Sequence, residues 1–268
     1  MREFLARSDL GMFWWVSYVF ALTVLTYASI CDLKTREVSN RLWVAAWPAG
    51  FALSVLNIVF GDLTVSALAI SAGISVILGV PTAYFGLFGG ADMKALIFIG
   101  LTVPTYPRGM RMFLGDPIGI PAVTVIMNAY IFCIFYPLAI FSANALDMLR
   151  RRSIFSGVEA GLMDKAILMF TTRKVSLESL ERGLHYFPAE VLVEEGGRIF
   201  RKPVRLIHAE ANLEPILEKI RGNRHLFRDG VLASPTIPLL IPFTIALLLL
   251  PLGNIPLWVA GKLISLLS

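Results

Sequence analysis

Two aspartates stand where the chain turns from apolar to polar sequence. Asp32 lies in TYASICDLKTREVSNRL, and Asp92 follows a glycine pair in GLFGGADMKAL, 60 residues further on. Two carboxyl groups brought close together are a device for hydrolysis. Like charges at short range cannot both ionise comfortably, so such a pair shares a proton. One carboxylate then activates water as general base, and the other protonates or polarises a peptide carbonyl as general acid. A peptide bond is cut in this way without a metal or a covalent intermediate.

Taken singly, each aspartate has an ordinary reading. Asp32 solvates the end of a helix, and Asp92 caps the start of one, where the helix dipole favours an anion. Three features favour the pair. Asp92 is preceded by apolar sequence and opens a run that is short without it, which sets it below a membrane surface. Gly89 and Gly90 allow backbone conformations closed to other residues and leave room for another chain to approach. Asp32 ends the first expected span and Asp92 starts the fourth, so both fall at the cytosolic ends of their helices and at one membrane depth. Lys94 either acts electrostatically on Asp92 or carries its ammonium out to the headgroups, and the second is the expectation.

The elements that must position these residues follow from composition. The chain has 268 residues, 56% hydrophobic and 16% charged, whereas soluble domains carry about 25% charged residues. Charge-free runs fall at 10–31, 42–61, 63–91, 95–107, 117–146 and 231–261. About 20 apolar residues cross a bilayer as a helix. All of the runs but 95–107 reach that length, and that one gains from the GADM segment before Lys94. The fold class expected is an all-α polytopic membrane protein of six transmembrane helices, with a small cytosolic α+β insertion between spans five and six. The first span is read as a retained helix, not a removed signal peptide.

The net charge of +5 is explained by membrane orientation and not by nucleic acid. Arg2, Arg7, Arg108, Arg111 and Lys262 fall on one side of a six-span frame, and the other 19 of the 24 Lys and Arg residues on the opposite side. Basic residues collect on the cytoplasmic side. Lys34, Arg36, Arg41, Lys94 and the Arg150–Arg152 cluster lie in or beside short loops and set the orientation, with the termini outside. The expectation is a multi-pass protein of the cell membrane whose two aspartates face the cytosol.

Three domains are expected: 1–146 with spans one to five, a cytosolic α+β domain at 147–232, and the final span at 233–268. Within the insertion, SLESLERG (176–183) reads as a short helix capped by Ser176. EVLVEEGGRIFRKPV (190–204) reads as a hairpin turning at Gly196-Gly197, and ANLEPILEKIRGN (211–223) as an amphipathic helix. Pro235, Pro238 and Pro242 exclude a regular helix at the opening of the last span. His185, His208 and His225 have no ligand-like spacing, and Asp62 and Asp116 fall at the far ends of spans. The two cysteines, Cys31 and Cys133, form no CxxC pair, so neither a metal site nor a cofactor site is expected.

Here the sequence resembles a known family. Gly89-Gly90-Ala91-Asp92 fits the motif of the GxGD membrane aspartyl proteases. Asp32 opens a D-L-K-x-R-x-x-x-N run ending at Asn40, and Lys94 and the proline-rich last span add to the likeness. The chain resembles the archaeal preflagellin peptidases, relatives of the type IV prepilin peptidases. That resemblance implies an endopeptidase that removes short basic leaders from preflagellin or pilin-like precursors at the cytoplasmic face. By position it implies Asp32 and Asp92 as the catalytic pair, with Gly89, Gly90, Ala91 and Lys94 shaping the motif. Ala91 stands where many members have glycine. The cysteine-rich domain of bacterial members that also methylate the new N-terminus has no counterpart here, so no methyltransferase activity is expected. Partners would be precursor proteins and membrane lipid, with no nucleic acid. Glu194 and Glu195 are candidates to attract a basic leader. Other readings are a presenilin or signal-peptide-peptidase type intramembrane protease, a small ion-coupled transporter using Asp92 and Lys94, and a membrane anchor without enzymatic activity.

Overall fold

A computed structural model describes residues 11–84, 89–107, 110, 112–114, 119–182, 186–204, 214–236 and 238–267. The chain divides into two compact units, Met1–Cys133 with Pro238–Ser268, and Ile134–Ile237. The first is helical. α1 (Met12–Thr35), α2 (Asn40–Val59), α3 (Val65–Tyr84), α4 (Gly90–Thr102) and the first half of α5 (Pro121–Leu149) are followed, after the second unit, by α9 (Leu240–Leu248) and α10 (Ile255–Leu267). Among the described residues, five helical stretches are long and apolar enough to cross a membrane: α1, α2, α3, α5 and Leu250–Leu267.

The expected spans one, two, three and five each appear as one helix. The fourth differs. It does take in the GADM segment, but α4 has only 13 residues, about 20 Å at the rise of an α-helix, where a bilayer core needs about 30 Å. Its surroundings account for it. α4 packs against α1, α2, α3 and α9, and Leu96, Ile97, Phe98, Ile99 and Gly100 are buried in succession. A helix apolar on every side belongs inside a bundle. Gly100 makes the packing possible, since a methyl group there would collide with Ser75 of α3. Polar links reinforce it: Ser54 of α2 donates to the Leu101 carbonyl at 2.5 Å.

The sixth expected span is divided. Residues 231–235 form a strand, the helix restarts at Leu240 as α9, a 3₁₀ turn occupies Leu250–Leu252, and α10 begins at Ile255. The prolines dictate the break. Pro235 ends the strand, and Pro242 sits in the first turn of α9, where a backbone donor has no intrahelical partner to lose. α9 then packs on α1. Thr244 donates to the Leu25 carbonyl at 3.2 Å, and its hydroxyl meets Ser29 at 2.7 Å.

The second unit holds the end of α5, α6 (Leu162–Thr171), α7 (Leu177–Glu181), α8 (Glu214–Gly222) and five strands. β1 (Arg173–Val175), β5 (Val231–Pro235) and β2 (Tyr186–Pro188) form an antiparallel sheet in the order β1-β5-β2. β3 (Glu190–Glu195) and β4 (Arg198–Pro203) form a separate hairpin. Its turn carries Gly196 and Gly197 at φ 59° and 74°, as the sequence led us to expect. Ser176 caps α7, accepting from the Ser179 amide at 3.2 Å. α8 covers 214–222 of the expected 211–223 helix, and 211–213 lie outside the described residues.

Sequence reasoning missed the anchor of this unit. Glu190 and Arg201 are buried, at 0% and 4% exposure. Arg201 reaches both carboxylate oxygens, at 2.7 and 2.8 Å. It also donates to the Leu226 and Gly230 carbonyls and lies 4.4 Å over the Phe227 ring. Glu190 accepts in turn from the Leu232 amide at 2.6 Å. The pair thereby ties the β3–β4 hairpin to β5.

Candidate active site

Asp92 is the third residue of α4 and is 8% exposed. Its carboxylate turns back on its own helix and accepts from the Gly89 amide at 3.0 Å. This is the capping role open to any acidic residue in a first turn, where the free amides and the dipole favour an anion. The need for glycine at position 89 is steric. Its φ of −73° and ψ of 159° suit any residue, so the expected conformational reason does not apply there. A Cβ at Gly89 would instead stand 3.2 Å from Asp92 Oδ2, in the space the carboxylate uses. Gly90 has open space beside it among the described residues. Ala91 packs on the apolar core of the unit.

Asp32 lies in the last turn of α1 and is half-buried. Its carbonyl accepts from the Arg36 amide at 3.0 Å, with Arg36 in the left-handed conformation that closes the helix. α1 packs against α4, so the helices that carry Asp32 and Asp92 are neighbours.

Lys94 has a specific partner. Its ammonium donates to Asn40 Oδ1 at 2.7 Å. Asn40 is the first residue of α2 and the last of the D-L-K-x-R-x-x-x-N run, so a signal for this contact was present in the sequence. The remaining candidates lie elsewhere. Asp62 accepts from the Gly11 amide at 3.3 Å. His225 is exposed in the 3₁₀ turn Arg224–Phe227. Glu194 is exposed, and Glu195 pairs with Lys202 at 2.5 Å. Asp116, His185 and His208 lie outside the described residues. Among the described residues, no group of three or more His, Cys, Asp or Glu could hold a metal ion.

Comparison with known proteins bears directly on this arrangement. The model of the type IV leader peptidase family matches residues 19–138, a segment holding both aspartates, all of α2–α4 and most of α5. The preflagellin peptidase of Methanococcus voltae is 24% identical over 243 residues, covering 88% of this chain and 94% of its own. That of Methanococcus maripaludis is 24% identical over 247 residues, with 88% and 94% covered. That of Methanocaldococcus jannaschii is 24% identical over 251 residues, with 87% and 92% covered. Residues 19–138 are thus similar to the type IV leader peptidase family, and the likeness to preflagellin peptidases extends along 88% of the chain.

Proposed function

We propose that this protein is a membrane aspartyl endopeptidase that removes the short basic leader from preflagellin or pilin-like precursors. The observation that carries the reading is the packing of α1, which bears Asp32 in its last turn, against α4, which bears Asp92 in its first. The matched family segment includes both, and the similar proteins are preflagellin peptidases.

The chemistry proceeds through water. One carboxylate takes a proton from a water molecule as its oxygen attacks the scissile carbonyl carbon. The other carboxyl group supplies a proton to the carbonyl oxygen. Collapse of the tetrahedral intermediate breaks the C–N bond, and the amine leaves with a proton from the pair, which returns to its starting state. The buried carboxyl and the half-buried one differ in environment, the condition under which two like groups take different roles. Asp92 in this reading is held for catalysis by its own capping bond to Gly89.

The chain crosses the membrane six times, with α4 as the short fourth crossing made possible by the helices around it. Both aspartates then stand at the cytoplasmic face. A precursor's apolar helix lies in the bilayer and its basic leader stays in the cytosol, which brings the scissile bond to that face. The enzyme is a peptidase without methyltransferase activity.

The test is cleavage. Membranes containing the protein are incubated with a precursor carrying a basic leader and an apolar helix, and product masses are read. A specific leader cut, lost in Asp32→Ala and in Asp92→Ala at equal protein levels, supports the dyad. A cut that survives either substitution overturns it.

A further inference from the structure

α6 is apolar on two sides, and the second unit uses only one of them. Leu168 and Met169 pack on a core with Ile154, Val158 and Leu232. Leu162, Met163, Ala166, Ile167 and Phe170 are exposed, Leu162 at 88% and Met163 at 73%. At 3.6 residues per turn these five fall within one arc of about 140°. Amphipathic helices bury a face of that width, and apolar residues scattered singly over a surface do not line up so. The level of α6 is fixed by α5. Phe141, Asn144 and Asp147 recur every three residues near the end of α5 and so share one side of it. Phe141 stacks on Phe170 with ring centroids 4.6 Å apart. The buried Asn144 amide donates to the Met169 and Thr172 carbonyls at 2.9 and 2.7 Å. Asp147 accepts from Arg173, just beyond α6, at 2.9 Å. α5 has 29 residues, about 43 Å, against about 30 Å for a hydrocarbon core. Its excess length is marked by charge, since Asp147 and the exposed Arg150, Arg151 and Arg152 are the first charged residues after the apolar run 117–146.

We propose that α6 lies in the membrane surface, with Leu162, Met163, Ile167 and Phe170 among the acyl chains of the leaflet where α5 ends, and with Arg150, Arg151 and Arg152 at its anionic headgroups. The inference rests on α5 crossing the membrane and not on the peptidase reading. Three observations favour lipid as the occupant. The first is continuity. Phe135, Leu138 and Phe141 of α5 are themselves exposed, and the stacking of Phe141 on Phe170 joins that surface of a membrane-spanning helix to the outer face of α6. The second is depth. Phe141 precedes Asp147 by six residues, about 9 Å along the helix, and interfacial helices bury their apolar face about 5–10 Å into the boundary between headgroups and acyl chains. The third is charge. An arginine cluster directly after a span is the arrangement that attracts anionic headgroups. At 10 residues, about 15 Å, α6 is too short to cross, so it lies along the surface. It thereby gives the second unit a hold on the bilayer beside α5.

The experiment uses full-length protein with Cys31 and Cys133 replaced by serine. Single substitutions Met163→Cys, Ile167→Cys, Lys165→Cys and Glu194→Cys are each labelled with bimane. All four positions are exposed; Lys165 lies on the opposite side of α6 from Met163 and Ile167, and Glu194 lies on the β3–β4 hairpin. The proteins are reconstituted in vesicles of phosphatidylcholine and phosphatidylglycerol, with and without lipid bearing a nitroxide high on its acyl chain. Labels at positions 163 and 167 are expected to lose most of their emission to the nitroxide lipid and little to iodide in the water, and those at 165 and 194 the reverse. In unmutated protein in the same vesicles, lipid carrying a diazirine in its acyl chain should label the peptide 162–171 and leave the β3–β4 hairpin unlabelled. Quenching by iodide at 163 and 167 as strong as at 194 would overturn the proposal. So would protection from both quenchers with no diazirine label on α6, which would place a protein surface, such as a second copy of the chain, over that face. Equal nitroxide quenching in vesicles of phosphatidylcholine alone would overturn the part given to the arginines.

Discussion

The Lys94 ammonium donates to Asn40 Oδ1 at 2.7 Å across 54 residues of sequence. Asn40 begins α2 directly after the short connection from α1, and Lys94 follows Asp92 on α4. One hydrogen bond therefore joins the two segments that carry the candidate carboxylates. Helix packing alone leaves two helix ends free to slide by fractions of an ångström, and hydrolysis by a carboxylate pair tolerates little misplacement.

Removing that bond is expected to lower cleavage without unfolding the bundle. A hydrogen bond to a charged group contributes about 1.5–3 kcal/mol, and this one is open to solvent, so Asn40→Ala is expected to lower kcat/KM about tenfold. Lys94→Met should do the same. Because both substitutions break one contact, the double variant should lose no more than the larger single loss. Steady-state cleavage by the three variants decides the matter, and additive losses would show that the residues act independently.

Asp92 combines a structural role with the proposed chemical one, and one substitution separates them. Asparagine keeps an oxygen that can accept from the Gly89 amide, so α4 should still begin at Gly90. It cannot exchange a proton as a carboxyl group does. Asp92→Asn is therefore expected to accumulate at the normal level, keep its melting temperature to within a few degrees, and lose leader cleavage by a factor of at least 10². Asp92→Ala should lose the cap as well, at about 1 kcal/mol. Thermal unfolding in detergent, run beside the cleavage assay, separates the two losses.

The residues of the candidate site stood out in the sequence because their chemistry is rare in such surroundings. A carboxylate and an ammonium after Gly89-Gly90 stand out in an apolar chain. Four spans were legible for the same reason, as runs without charge. What the sequence concealed was three-dimensional. The shortness of α4 is permitted only by the helices packed around it. The strand at 231–235 continues an apolar run whose length suggested a membrane span, and only its pairing with β1 and β2 removes it. The Glu190–Arg201 pair was hidden because alternation along a hairpin names the buried face but not a charge within it.

The buried pair makes a prediction of its own. Glu190→Ala leaves the Arg201 guanidinium 4% exposed without its anion, and removal of one partner from a buried pair costs about 3–5 kcal/mol. The comparison is Glu195→Ala, which breaks a pair at 58% and 35% exposure and should cost less than about 1 kcal/mol. Hydrogen exchange of the full-length protein in detergent reads both. The β3, β4 and β5 amides should lose most of their protection in Glu190→Ala and little in Glu195→Ala.

Asp229 gives the second unit a dependence on acid. Burial alone would push its carboxyl upward, but hydrogen bonds from Lys174, at 2.6 Å, and from Ser156 outweigh it and hold the group at about 2. An unfolded aspartate titrates near 4. The unfolded chain therefore binds the proton more tightly, so this interaction stabilises the fold at every pH above about 4 and is lost as pH falls from about 4 to about 2. Asp229 is 46% exposed, and solvent screening reduces its contribution to about 1 kcal/mol or less. Asp229→Asn should therefore weaken protection of the β1 and β5 amides by up to about fivefold at pH 6. The difference from the unmutated protein should close on acidification towards pH 2, after correction for intrinsic exchange rates. A difference that stays constant down to pH 2 would mean that the carboxylate's charge is not what the Lys174 contact uses.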